Sequence, residues 1–207
     1  MAKPKHTHKK LIIGLTGGIA TGKTTILCLF KQFGAQTVCC DELAHRALRQ
    51  NTHTYRQIIK LFSKKILDRN KKIDRKRLGE IIFKNKSKRK ALEQIVHPFV
   101  FSKIFENISK ARGILVIDIP LLFETGFQRY VDRTIVVWCN EREQVRRLIK
   151  RDNISRKQAL ARIKTQMPLA RKKKMADWAI DTINLSKGIL QANTIWKEIV
   201  RIIQNKQ

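Results

Sequence analysis

The 207 residues and 24.2 kDa hold one ordinary domain with room for a small insertion, and 43% apolar with 29% charged residues excludes a mainly disordered chain. No apolar run reaches the ~20 residues of a membrane helix, and Cys28, Cys39, Cys40 and Cys139 form neither a C-x-x-C pair nor a disulfide framework, which points to a cytoplasmic chain with free thiols and no zinc. The excess of 45 Lys+Arg over 16 Asp+Glu, a formal +29, favours polyanionic partners such as nucleic acid, anionic lipid or phosphorylated small molecules, unless it reflects a lysine-biased proteome.

After a basic arm at 1–10, expected to be disordered, the apolar stretch 11–15 reads as a buried strand that runs into glycines. Helical spacing of Ile26, Leu27, Leu29, Phe30 and Phe33 predicts a helix over 24–33, ended by Gly34. A second strand at 37–39 and a helix from about Asp41 continue a β-α-β rhythm. From 51 to 111 the apolar residues recur only at helical spacing, which marks a helical insertion. Strands resume at 114–117 and 134–138. Helices follow at 141–151 and 155–166, the second opened by a capping box at Ser155 and Gln158 and closed by Pro168. A last strand at 179–183 and a C-terminal helix over 189–203 complete an α/β architecture, a parallel sheet flanked by helices.

The chemistry is carried by Gly17-Gly18-Ile19-Ala20-Thr21-Gly22-Lys23-Thr24, which fits G-x-x-x-x-G-K-[ST] between a strand and a helix. Backbone N–H groups of such a loop curl around phosphates, its lysine reaches the β- and γ-phosphates, and its hydroxyl ligates Mg²⁺. The expected nucleotide contacts are therefore Gly17, Gly18, Ala20, Thr21, Gly22, Lys23, Thr24 and Thr25. The glycines never make G-x-G-x-x-G, which disfavours a dinucleotide, and neither N-K-x-D nor D-x-x-G occurs, which disfavours a GTPase. A small-molecule kinase of the phosphate-loop NTPase fold remains, against a rival nucleic-acid-binding ATPase suggested by the charge. The rival lacks a recognisable RNA or DNA module, and aromatic residues, 7%, form no stacking pattern, so nucleic acid is not required.

The ordered set of 13–25 with Asp41-Glu-Leu-Ala-His45, His97-Pro98, Pro120-Leu-Leu-Phe-Glu124, Gln144, Arg147, Arg151, Gln166-Met-Pro168, Lys172 and Ala176-Asp177 resembles dephospho-CoA kinase over about 11–182. The resemblance implies ATP-dependent phosphorylation of the ribose 3′-hydroxyl of dephospho-CoA, with ATP and Mg²⁺ as cofactors. It also implies three parts: a nucleotide core at 11–50 and 112–207, a helical CoA-substrate-binding insertion at 51–111, and a helical lid at about 141–174. A monomer is expected.

Within that resemblance Asp41 is the expected base for the ribose hydroxyl, with a helix-capping role as its alternative. Asp118 ends an apolar strand as a metal-holding acid does, so Thr24 and Asp118 are the expected metal ligands, a structural role for Asp118 staying open. His97 and Glu124 resemble substrate-side positions, although a histidine before a proline also reads as a hydrogen-bonding residue at a turn. Thirteen Arg or Lys against three acids in 141–174 suit a transferring phosphoryl group, and Arg147 and Arg151, one helical turn apart, are expected over the triphosphate. Arg147 is expected to join Asp41 and Lys23 in catalysis. Cys39 and Thr182 depart from the resemblance, where Asp and Asn are usual.

Overall fold

The computed structural model describes residues 10–205, in two compact units: one holds the chain to Val38 and again from Lys110, the other is Cys39–Ser109. The first unit is built on a sheet of five strands, β1 (Lys10–Gly17), β2 (Gln36–Cys39), β3 (Gly113–Asp118), β4 (Arg133–Trp138) and β5 (Trp178–Asp181), in the order β2-β3-β1-β4-β5. β1 pairs in parallel with β3 and β4, and β4 with β5. All eight residues of β1 are buried, as a central strand covered on both faces requires. Of the arm expected at 1–10, residues 1–9 lie outside the described residues. Lys10 does not belong to it, because it is buried and opens β1 opposite Gly113.

Helix α1 (Lys23–Gln32) leaves the loop after β1 and buries Ile26, Leu27 and Phe30. The C-terminal helix, α9 (Leu185–Gln204), buries Gly188, Ala192, Ile195 and Ile199 and sets Trp196 against Phe30 and Phe33, with ring centroids 6.0 and 5.8 Å away. Between β4 and β5 run α6 (Glu141–Asp152), α7 (Arg156–Ile163) and α8 (Leu169–Met175). The capping box at Ser155 and Gln158 is present. Pro168, expected to close α7, is instead the N-cap of α8, because a fixed φ and a missing N–H are tolerated where a helix begins.

The second unit comprises α2 (Cys40–Ala47), α3 (His53–Phe62), α4 (Arg75–Lys84) and most of α5 (Lys86–Lys110). Its core gathers Ile58, Phe62, Ile66, Ile73 and Leu78. The unit begins at Cys39, earlier than the expected 51, because α2 belongs to it. His97 is not at a turn. α5 continues through Pro98, whose lost N–H deprives the Gln94 carbonyl of a donor on an exposed face, where that loss costs least.

Candidate active site

The loop between β1 and α1 is shaped by contacts that leave no room for side chains. A β-carbon at Gly17 would stand 2.4 Å from the Val137 carbonyl oxygen, and one at Gly18 would stand 2.6 Å from Gln144 Nε2. Ala20 and Gly22 take positive φ, 60° and 84°, a conformation that favours glycine at the second of them. Gly22 is the N-cap of α1, so the free N–H groups of the first helical turn and the positive end of the helix dipole face the loop.

Side chains of the segment 141–174 hold this loop from outside. Gln144, buried in α6, donates Nε2–H to the Ile19 carbonyl at 2.7 Å, while the Ile19 N–H donates to Gln166 Oε1 at 2.9 Å. Ile19 and Ala20 also pack against the apolar cluster of Val145, Leu148 and Ala159. The Thr21 hydroxyl closes the turn onto the Gly18 carbonyl at 2.9 Å.

Lys23, first residue of α1, reaches across to Asp118 at the end of β3, with Nζ 2.9 Å from Oδ1 and 3.3 Å from Oδ2. Both side chains are largely withdrawn from water, 12% and 4% exposed. Thr24 and Thr25 follow on α1 and line a groove of about 410 Å³ with Cys28 and Ile189. Arg147 extends from α6 over the helix start: a β-carbon at Gly22 would be 3.7 Å from its Nη1. Its Nε–H goes to Glu143 Oε1 at 2.7 Å and its Nη1 approaches the Ala20 carbonyl at 3.4 Å.

A second ion pair lies beside the first. Lys172 in α8 is fully buried, with Nζ 2.8 Å from Glu124 Oε1 and donating at 2.8 Å to the Pro120 carbonyl. Burial pushes its pKa down, Glu124 opposes that shift, and the charge of Lys23 adds to it. Glu124 also accepts the Met167 N–H at 3.0 Å. Cys139, buried under Arg147, has its thiol pushed up to about 11 by burial and is therefore an inert neutral group.

The structure thus brings Gly17, Gly18, Ala20, Thr21, Gly22, Lys23, Asp118 and Arg147 together around the N-terminus of α1. Arg151 does not join Arg147 there: it is 58% exposed and pairs with Asp152, which also takes Arg162 at 2.6 Å. Asp41 and His97 lie in the second unit. Asp41 is exposed in the first turn of α2 and is not its cap, because Cys39 holds the extended N-cap conformation. His97 is half-buried in α5 with its ring 5.7 Å from Phe101. Sequence reasoning assigned no role to Thr182, which is fully buried and hydrogen-bonded to the loop. Its signal in the sequence was the departure from the Asn usual at that position in the resemblance.

A family model described as dephospho-CoA kinase matches residues 11–187. The chain is 42% identical over 175 residues to a dephospho-CoA kinase of Geobacillus kaustophilus, covering 83% of this chain and 87% of that one. It is 42% identical over 174 residues to one of rice, Oryza sativa, covering 82% and 76%. Among solved structures, a dephospho-CoA kinase from Campylobacter jejuni superposes with a TM-score of 0.64 at 30% identity, covering 92% of this chain and 98% of the other.

Proposed function

The chain belongs to the dephospho-CoA kinase family, and we propose that it transfers the γ-phosphoryl group of ATP to the ribose 3′-hydroxyl of dephospho-CoA, the last step of coenzyme A synthesis. The observation that carries this reading is the cationic pair at the start of α1, Lys23 on its first residue and Arg147 over Gly22, beside a loop in which Gly17 and Gly18 leave no room for a side chain. A bond forms from the 3′-oxygen to γ-phosphorus as the bond to the β,γ-bridging oxygen breaks, and ADP leaves. Asp41 takes the proton of the hydroxyl. Lys23 and Arg147 stabilise the charge spread over the phosphoryl oxygens during transfer.

The Thr24 hydroxyl and the Asp118 carboxylate are hard oxygen donors of the kind Mg²⁺ accepts. Thr24 and Asp118 would hold Mg²⁺, which would supply charge that neutralises the phosphates. The helical unit Cys39–Ser109 forms the CoA-binding part, with His97 on the substrate side, and Glu124 faces substrate from the core. The segment 141–174 acts as a lid, which carries Arg151 toward the triphosphate when it exchanges Asp152 for the nucleotide.

The chain works as a cytoplasmic monomer. No described helix is long and apolar enough to cross a membrane. The test is the position of the new phosphate: ³¹P NMR of a reaction with ATP, Mg²⁺ and dephospho-CoA should show a 3′-phosphomonoester formed with one ADP each. ADP without that resonance would overturn the reading.

A further inference from the structure

Arg147 is the side chain on which the proposed transfer leans, and a buried threonine decides where it stands. The Thr182 hydroxyl, 0% exposed, lies 2.6 Å from the Thr21 carbonyl and 3.1 Å from the Trp138 carbonyl, either of which it can serve as donor. Arg147 Nη1 approaches the same hydroxyl oxygen at 3.4 Å, and Arg147 Nη2 donates to the Thr182 carbonyl. The Thr182 N–H donates to Trp138 at 2.9 Å, which fixes the residue as a continuation of the β4–β5 pairing. A rigid strand end thereby grips the phosphate loop with one atom and the guanidinium with two.

The guanidinium carries five N–H donors in a planar fork. Nε is committed to Glu143, Nη1 is shared between Ala20 and Thr182, and one hydrogen on Nη2 goes to the Thr182 carbonyl. The other Nη2 hydrogen has no protein acceptor among the described residues. The fork sits over Gly22, so that donor is available to an anion at the N-terminus of α1.

We infer that Thr182 is a positioning residue for phosphoryl transfer, acting through Arg147 and the Thr21 carbonyl; this rests on the kinase reading above. Arg147 is thereby tied both to the strand end and to the phosphate loop.

The experiment is a double-variant cycle on the full chain with dephospho-CoA, read as kcat and as calorimetric Kd for a non-hydrolysable ATP analogue. T182V keeps the shape and deletes the hydroxyl; it should lower kcat about 10-fold, because a buried carbonyl is left without its donor and the fork loses an acceptor. T182S should recover most of that loss. The double variant T182V/R147A should be slower than R147A by clearly less than the loss T182V causes alone, since part of the threonine's effect passes through the arginine. A double variant slower by the full product of the two single losses would overturn the inference, as would T182V at wild-type kcat. If T182V does not fold, T182A takes its place in the cycle with the same expectations. An inactive wild type refutes the dephospho-CoA reading instead, and the inference then stands or falls on Kd: T182V and R147A should weaken the analogue non-additively.

Discussion

The Lys23 ammonium and the Asp118 carboxylate stand 2.9 Å apart, joining the phosphate loop to the end of the central neighbouring strand while both are nearly out of solvent. The lysine thus has two partners to choose from, a protein carboxylate and an incoming phosphate. Removing it withdraws the lysine cation from a buried carboxylate, which costs roughly 3 kcal/mol where such a pair is broken from one side. K23A should accordingly lose both turnover and several degrees of Tm. D118N added to K23A should restore most of the Tm and none of the turnover. A K23A protein as stable as wild type would contradict this role of the pair.

The two loop glycines differ in what blocks them. At Gly17 the obstacle is the backbone oxygen of Val137 in β4, which cannot move without disturbing strand pairing, whereas at Gly18 it is the mobile end of Gln144. G17A should therefore destabilise the fold by roughly 1–3 kcal/mol, the ordinary cost of overpacking. G18A should keep most of its Tm and instead lose nucleotide affinity, because displacing Gln144 frees the Ile19 carbonyl. Thermal melts and calorimetry on the two variants check the contrast; equal Tm losses would contradict it.

Acid sensitivity should arise at Glu143. The Arg146 guanidinium bonds it at 2.8 and 2.6 Å, and Arg147 adds a third contact, so that its pKa falls to about 2 against an ordinary 4.5 in spite of the opposing effect of burial. The folded state holds this proton less tightly than the unfolded one. Its stabilisation is present above pH 4.5 and is lost as pH falls toward 2. The Tm difference between wild type and E143Q should narrow over that window and hold steady between pH 5 and 7. A difference that stays constant down to pH 2 would contradict it.

Much of the fold was legible because its signals are local. The apolar run of β1, the glycine turn and the apolar spacing of α1 lie within about two dozen consecutive residues and agree with one another. α8 was not legible: Pro168 reads as the close of the preceding helix, and the run Arg171–Lys174 reads as charge suited to a phosphoryl group. Only tertiary structure shows that Lys172 is buried on Glu124 and that Lys173 lies 3.9 Å over the Trp138 ring. The continuation of α5 through Pro98 and the N-cap at Cys39 likewise depend on surroundings that local preference does not encode. At the site, the loop residues follow from the motif, but the hold of Gln144, Gln166 and Thr182 on that loop joins positions more than a hundred residues apart in the chain.

The central claim is that the acceptor is dephospho-CoA, and the rate of ADP release with different alcohols tests it most directly. With ATP and Mg²⁺, dephospho-CoA should give a kcat/KM at least about 100-fold above adenosine, shikimate or pantetheine, because binding energy from the remote parts of a substrate is used to orient its reacting hydroxyl. Comparable values for any of those alcohols, or ADP release that dephospho-CoA does not stimulate, would contradict the account.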